Sequence, residues 1–205
     1  MAYFFKKIKT FFEADNILSK DIVVSVPSYY SNVERQAVLD AIEIANLKCL
    51  RLINESTAVG LTYGFFRKGD LHEKDFRNVA FVDFGHSKIT VTFAAFIKGK
   101  MRIICHHSDR NLGARNMDLI ILEIVGEEFN KKFKADPRTN VRARLRLLDI
   151  IEKQRKILSA NLEAHLHLEA LLNDEDLHRN IKRAEFEEMV QPLVEKISIV
   201  LQEAL

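Results

Sequence analysis

Tryptophan is absent from this 205-residue chain, and glycine, at 7 residues, stands at about half its usual share. Loops that cradle phosphate normally need several glycines, so a phosphate site here would have to work with few. The two cysteines, Cys49 and Cys105, are too few for a disulfide scaffold. Neither has a His or Cys neighbour at ligand spacing, and both read as reduced core thiols. Charge of one sign is also lacking. Lys and Arg total 31 against 29 Asp and Glu, a net +2, which gives no field to draw in nucleic acid or an anionic membrane. No apolar run is long enough to span a bilayer. The aromatic, basic start from Met1 to Phe12 is interrupted by Lys6, Lys7 and Lys9 and lacks the continuous core of a secretory signal. The expectation is a cytoplasmic protein with neither nucleic acid nor membrane as partner.

What is present is ordinary globular sequence: 47% hydrophobic and 29% charged, enough for one large domain or two small ones. Phe4, Phe5, Ile8, Phe11 and Phe12 fall on one helical face, which suits a packed amphipathic helix better than one lying on a membrane. A strand, Ile22 to Val26, ends at Pro27; Ser31 and Glu34 then have capping-box spacing before a helix through Val38, Ala41, Ile42 and Ala45. A second strand, Cys49 to Ile53, leads into another helix at Asn54-Glu55. This β-α-β-α order favours parallel pairing in an α/β layer. The charged stretch from Arg67 to Arg77 reads as a linker. Beyond it, Val79 to Val82 looks like a fully buried strand, and Ile89–Ile97 and Met101–Cys105 flank a turn needing positive φ at Gly99. Two long helices, roughly Asn116–Phe133 and Val141–Leu158, precede a hairpin from Ala164 to Leu171 and Leu177 to Ile181. A helix from about Ala184 closes the chain.

The sharpest local pattern is Phe81-Val82-Asp83-Phe84-Gly85-His86-Ser87. A strand delivers Asp83 to its carboxyl end, and a glycine turn leads into a hairpin. Such an Asp can hold hydrated Mg²⁺, and the turn's successive N–H groups form a nest for phosphate. Strand–Asp–Gly turns are equally familiar as plain structure. Glu55 at a helix start could simply complement the helix dipole. The basic run Arg138, Arg142, Arg144, Arg146 lacks interleaved aromatics and reads as a solvated face. His165, His167 and Glu169 share one strand face, but they are spread out and lack a fourth ligand. An exposed hairpin face is expected there in place of a metal site. His106 and His107 would point to opposite faces of a continuing strand.

Several stretches then agree in order and spacing. Val24-Ser25-Val26-Pro27-Ser28-Tyr29-Tyr30, Arg35-Gln36-Ala37, Leu50-Arg51-Leu52-Ile53-Asn54-Glu55-Ser56-Thr57-Ala58 and Tyr63-Gly64 precede Val82-Asp83-Phe84-Gly85. Leu112-Gly113, Asp118 and the run from Glu152 to Asn161 follow it. This string resembles the ATPase domain of the heat-shock protein 70 superfamily. Gly85-His86-Ser87, where the seventy-kilodalton chaperones carry a run of glycines, is similar to their large, 110-kilodalton branch. The resemblance covers nearly the whole chain. It implies part of an actin-like, ribonuclease H-like α/β ATPase fold, in which two lobes close over ATP. Residues 1–66 would be the second half of the first lobe, and 67–112 the start of the second with its phosphate-loop hairpin. Residues 113–183 would form a helix-and-hairpin subdomain on the adenosine side, and 184–205 a returning helix. The family's strand–Asp–Gly–Thr loop, its glycine-rich adenosine loop, its first-lobe lysine and its substrate-binding domain have no counterpart here, so a fragment is expected.

Residue by residue, the resemblance implies that Glu55 lies near the attacking water and metal, and that Asp83 is the metal-side Asp of the second phosphate loop. His86, Ser87 and Lys88, after Gly85, would contact phosphates. Gly113 matches the first of a glycine pair whose second member is Ala114 here. Glu152, Arg155, Lys156 and Ser159 match the adenosine-binding helix. Their i, i+3, i+4, i+7 spacing puts all four on one face, where Arg155 can stack on adenine and Glu152 can accept ribose hydroxyls. The departures count against hydrolysis: His86 and Ser87 narrow the backbone angles that glycine would allow, Lys88 replaces Thr, and Thr90 replaces a second Asp. The leading expectation is a co-chaperone module that binds ATP or ADP with Mg²⁺ and promotes nucleotide exchange on a seventy-kilodalton chaperone, with unfolded clients handled by absent domains. A hydrolysing chaperone ATPase and a nucleotide-free interaction fragment remain the alternatives. Self-association is expected from apolar surface left bare by the absent half.

Overall fold

The computed structural model describes residues 1–17 and 19–204. They divide into two units: Met1–Phe81 with Thr92–His106, and Val82–Val91 with the chain from His107 onward. In the first, α1 (Ala2–Ala14), β1 (Asp21–Val26), α2 (Asn32–Ile44), β2 (Lys48–Asn54) and α3 (Glu55–Phe66) follow one another. The Ser31 hydroxyl accepts the Glu34 N–H while the Glu34 carboxylate accepts the Ser31 N–H at 2.7 Å, so the capping box starts α2 where the spacing places it. β1 and β2 pair in parallel from Asp21↔Lys48 to Val26↔Asn54. Val26, Val38, Ala41 and Ile42 are buried together, with Ile22, Val24 and Ile8 packed against them. α1 packs against α2 through Phe5, whereas Phe4 and Phe11 are 63% and 56% exposed, so its buried stripe is narrower than the aromatic pattern suggests. Cys49 and Cys105 are half-buried rather than core, and neither is in a disulfide.

β3 (Arg77–Phe84), β4 (Ile89–Ile97) and β5 (Lys100–Asp109) form a sheet in that order, and the division into units falls within each strand, after Phe81, Val91 and His106. Gly99 takes φ +77° in the turn from β4 to β5. The expectation that Val79–Val82 is fully buried is corrected. β3 is an edge strand and alternates, with Val82 53% exposed, and the buried run is the central strand β4. In the first unit, Phe96, Ala94 and Leu71 make a small core with Tyr63, Phe81 and Met101.

The second unit continues with α4 (Ala114–Phe133), α5 (Val141–Ile157), the β6 (Glu163–Leu172) and β7 (Glu175–Lys182) hairpin, and α6 (Arg183–Glu203). Its core joins Leu122, Val125 and Phe129 of α4, Leu147 and Ile151 of α5, and Leu166 and Ile181 of the hairpin. The Asn140 side chain caps α5 by accepting the Ala143 N–H at 3.0 Å. Asn173 and Asp174 both have positive φ, 53° and 61°, the backbone of a two-residue hairpin turn. Two of the four arginines read as solvated are tied inward. Arg138 binds Asp136, Glu127 and Glu123, and Arg146 donates to the Glu169 and Ala170 carbonyls at 2.7 Å each. Among the described residues, no helix is long and apolar enough to cross a membrane.

Candidate functional site

Of the residues that the sequence assigns to a site, Glu55 belongs to the first unit, and Asp83, Gly85, His86, Ser87, Lys88, Gly113, Glu152, Arg155, Lys156 and Ser159 belong to the second. Glu55 is the first residue of α3, half-buried at the end of β2. The strand ends beside it are gathered by Arg35. Its guanidinium donates to the Tyr30 carbonyl at 3.0 Å, the Ser28 carbonyl at 3.2 Å and Asn54 Oδ1 at 2.8 Å. Sequence reading noticed Arg35 only as part of a motif. Its work is to satisfy carbonyls that the turn after Pro27 leaves without strand partners.

In the second unit, β3 brings Asp83 to its end as an exposed carboxylate. The chain then closes a tight turn, in which the Gly85 N–H donates to the Lys88 carbonyl at 2.9 Å. His86, Ser87 and Lys88 are not among the residues with positive φ, so this turn accommodates side chains without left-handed backbone. Gly113 lies against it. A Cβ at Gly113 would stand 2.5 Å from the His86 carbonyl oxygen and 2.7 Å from the Lys88 nitrogen. The Ala114 and Arg115 N–H groups at the start of α4 donate to the Gly85 and His86 carbonyls at 3.0 and 2.8 Å. The turn is thus joined to the helix N-terminus, whose first donors are spent on it.

A cleft of about 380 Å³ opens beside the turn, lined by His86, Arg115, Asp118, Leu119, Leu148, Asp149 and Glu152. Glu152 and Lys156 pair at 2.7 Å across one turn of α5. Hydrogen bonding and charge from Lys156, with smaller contributions from His86 and Arg155, hold the Glu152 carboxyl below its ordinary range. A second cleft of about 350 Å³ is lined by Arg155, Ser159, Met117, Leu158, Arg183, Phe186 and Glu187. The two clefts are joined by an ion pair. Arg155 Nε donates to Asp118 Oδ1 at 2.6 Å and Nη2 donates to Oδ2 at 3.3 Å, with side chains only 14% and 6% exposed. The expectation that four residues share one helix face is corrected: α5 ends at Ile157, so Ser159 lies in the turn beyond it, and Glu152 faces the 85–88 turn whereas Arg155 and Ser159 face α6. Arg115, Arg183 and Phe186 were missed by sequence reading. Arg183 has a further task, donating to the Leu158 and Asn161 carbonyls at 2.9 Å each just past α5.

The donor set suits a nucleoside phosphate with Mg²⁺. An exposed carboxylate stands at Asp83, the His86 imidazole and the Arg115 guanidinium line the cleft, and the missing Cβ at Gly113 lets turn and helix backbones approach. Thr90, where a second acid is expected in the seventy-kilodalton branch, is buried, and its hydroxyl has no hydrogen-bond partner among the described residues.

The family model described as Hsp70 protein matches residues 1–205. Among curated proteins, the chain is 41% identical over 188 residues to the 97 kDa heat shock protein of Mesocentrotus franciscanus, a match covering 90% of this chain and 21% of that protein. It is 42% identical over 208 residues to heat shock protein hsp88 of Neurospora crassa, covering 100% and 29%. To heat shock 70 kDa protein 4 of Homo sapiens it is 41% identical over 198 residues, covering 94% and 24%. The chain spans roughly a fifth to three tenths of the length of these relatives.

Proposed function

The chain belongs to the Hsp70 family, with part of the actin-like fold of that family's ATPase domain, and from that premise we propose that it is the central part of a nucleotide-binding domain in a large heat-shock chaperone. Its role would be to hold ATP or ADP with Mg²⁺ and to act on a seventy-kilodalton chaperone as a nucleotide-exchange partner. The observation that supports this reading most is the meeting of His86, from the turn that Gly113 packs against, with Arg115 and Glu152 around one cleft. There Arg115 offers positive charge and His86 a ring N–H to phosphate, and Asp83, at the end of β3 before the turn, offers an oxygen ligand to the metal. Glu152, kept ionised by Lys156, is available to accept hydrogen bonds from the hydroxyls of a ribose. Mg²⁺, when bound, neutralises phosphate charge.

Binding is favoured over hydrolysis because Thr90 adds no second carboxylate near Asp83. The reading as a nucleotide-free interaction fragment draws on a different observation: Arg155 is already committed to Asp118 and must leave that partner to stack on a base. Calorimetric titration with ATP and Mg²⁺ separates the two, run beside a Glu152→Ala, Lys156→Ala double variant that breaks only a partly exposed ion pair. Saturable binding weakened tenfold or more in the variant is expected. No binding by the wild-type chain would transfer the function to protein interaction alone.

A further inference from the structure

The outer face of the β6–β7 hairpin holds two imidazoles that the nucleotide reading does not use. His167 lies directly across from His178 in the strand register. Their rings stack with centroids 4.4 Å apart and 28° between planes, and their Nδ1 atoms are 2.9 Å apart. Both side chains are open to solvent, at 51% and 66% exposure, and each ring has its Nε2 near a carboxylate of its own strand. Glu169 Oε1 is 3.9 Å from His167 Nε2, and Asp176 Oδ2 is 3.9 Å from His178 Nε2.

At 2.9 Å the two Nδ1 atoms are within hydrogen-bond distance, and a ring that carries its proton on Nε2 presents its Nδ1 lone pair as a metal ligand. The pair can share one proton as an N–H···N hydrogen bond, or, with both rings protonated on Nε2, give both Nδ1 atoms to one metal ion. A divalent ion bound by two imidazole nitrogens at about 2.0–2.1 Å, at an angle of roughly 90–110°, holds those nitrogens about 2.9–3.4 Å apart. The observed separation falls in that range. We propose that His167 and His178 form a two-histidine clip for a borderline divalent transition-metal ion such as Zn²⁺, with water completing its coordination. Among the described residues no group of three or more metal-ligating side chains is preassembled, so the clip is a two-point site. Hard ions such as Mg²⁺ prefer oxygen ligands and are disfavoured there.

The register that creates this pair is set away from it. Three residues of β6, Glu169 to Leu171, face the single residue Asp176 between the Leu168↔Leu177 and Leu172↔Glu175 pairs. Ala170 in this bulge has φ 43°, and its N–H donates to Asp176 Oδ1 at 2.7 Å. Arg146 on α5 holds the bulge carbonyls of Glu169 and Ala170. A regular hairpin continued from Leu172↔Glu175 would set His167 opposite Asn180 and dissolve the pair. Arg146 is therefore a positioning residue for the clip.

The test is calorimetric titration of the tag-free chain with ZnCl₂, without nucleotide or Mg²⁺, repeated for His167→Asn, His178→Asn and Arg146→Ala. Both histidines are exposed, and circular dichroism checks that each variant keeps its fold. One zinc ion per chain is expected at sub-millimolar concentration, at least tenfold weaker in either histidine variant because chelation is lost. MgCl₂ should not compete. No saturable zinc binding, or binding of equal strength in both histidine variants, overturns the clip. Zinc affinity unchanged in Arg146→Ala overturns the positioning role.

Discussion

Gly113 is needed for room, not for backbone freedom. Its φ of −160° is extended backbone that any residue adopts, but a methyl group there would press on the backbone of His86 and Lys88. Gly113→Ala is expected to destabilise the second unit by about 1–3 kcal/mol, the usual penalty of overpacking, read from the urea midpoint. An unchanged midpoint would show that the turn yields. Asp118 is the second residue whose replacement should be costly. Asp118→Ala leaves the Arg155 guanidinium, 14% exposed, without its counter-ion, and a loss of about 3 kcal/mol is expected in the same measurement. Gly113 was visible in the sequence because it sits in a motif. The partnership of Asp118 with Arg155 was not, because a separation of 37 residues carries no periodic signal and only the packing of α4 on α5 brings the two together.

Between α4 and α5 the chain is fastened by Arg138, which reaches Asp136 at 2.8 Å, Glu127 at 2.8 Å and Glu123 at 3.1 Å. Gly126 makes space for its stem, since a Cβ there would stand 2.7 Å from Arg138 Cγ and Cδ. Hydrogen bonding from Arg138 holds the Asp136 carboxyl below its ordinary value, against the smaller opposing effect of burial. A depressed carboxyl contributes stability that is present above the unfolded-state range and is lost as pH falls through the folded value. Asp136→Asn should therefore destabilise the chain at pH 7, with wild type and variant converging in thermal melts once the pH falls well below the ordinary carboxylate range. A gap that persists in acid would point to packing instead. At this scale the sequence was most readable where a short code acts locally: the Ser31–Glu34 box and Gly99 both fell where expected. It was least readable where neighbours decide. The exposure of β3 depends on its place at the sheet edge, and the facing of His167 by His178 depends on a bulge that no residue type announces.

The β-α-β-α order and the resemblance to the heat-shock chaperones carried the α/β character and the family from sequence, whereas the division of Glu152 and Arg155 between two clefts was not legible there. The exposed surface is a property of the whole chain. Phe65 and Phe66 are 76% and 77% exposed at the end of α3, beside a groove of about 580 Å³ shared with Leu71, Phe96 and Met101. Concentration-dependent self-association is expected in sedimentation velocity, reduced in a Phe65→Ser, Phe66→Ser variant. A clean monomer at every concentration would contradict it. The seam between the 85–88 turn and the start of α4 has a mechanical meaning as well. With two backbone hydrogen bonds across it and no space at Gly113 for slack, the turn and the 20-residue helix behave as one stiff lever about 30 Å long. A small displacement of the turn by whatever settles on it would tilt the far end of α4 and, through it, press on α5, α6 and β7.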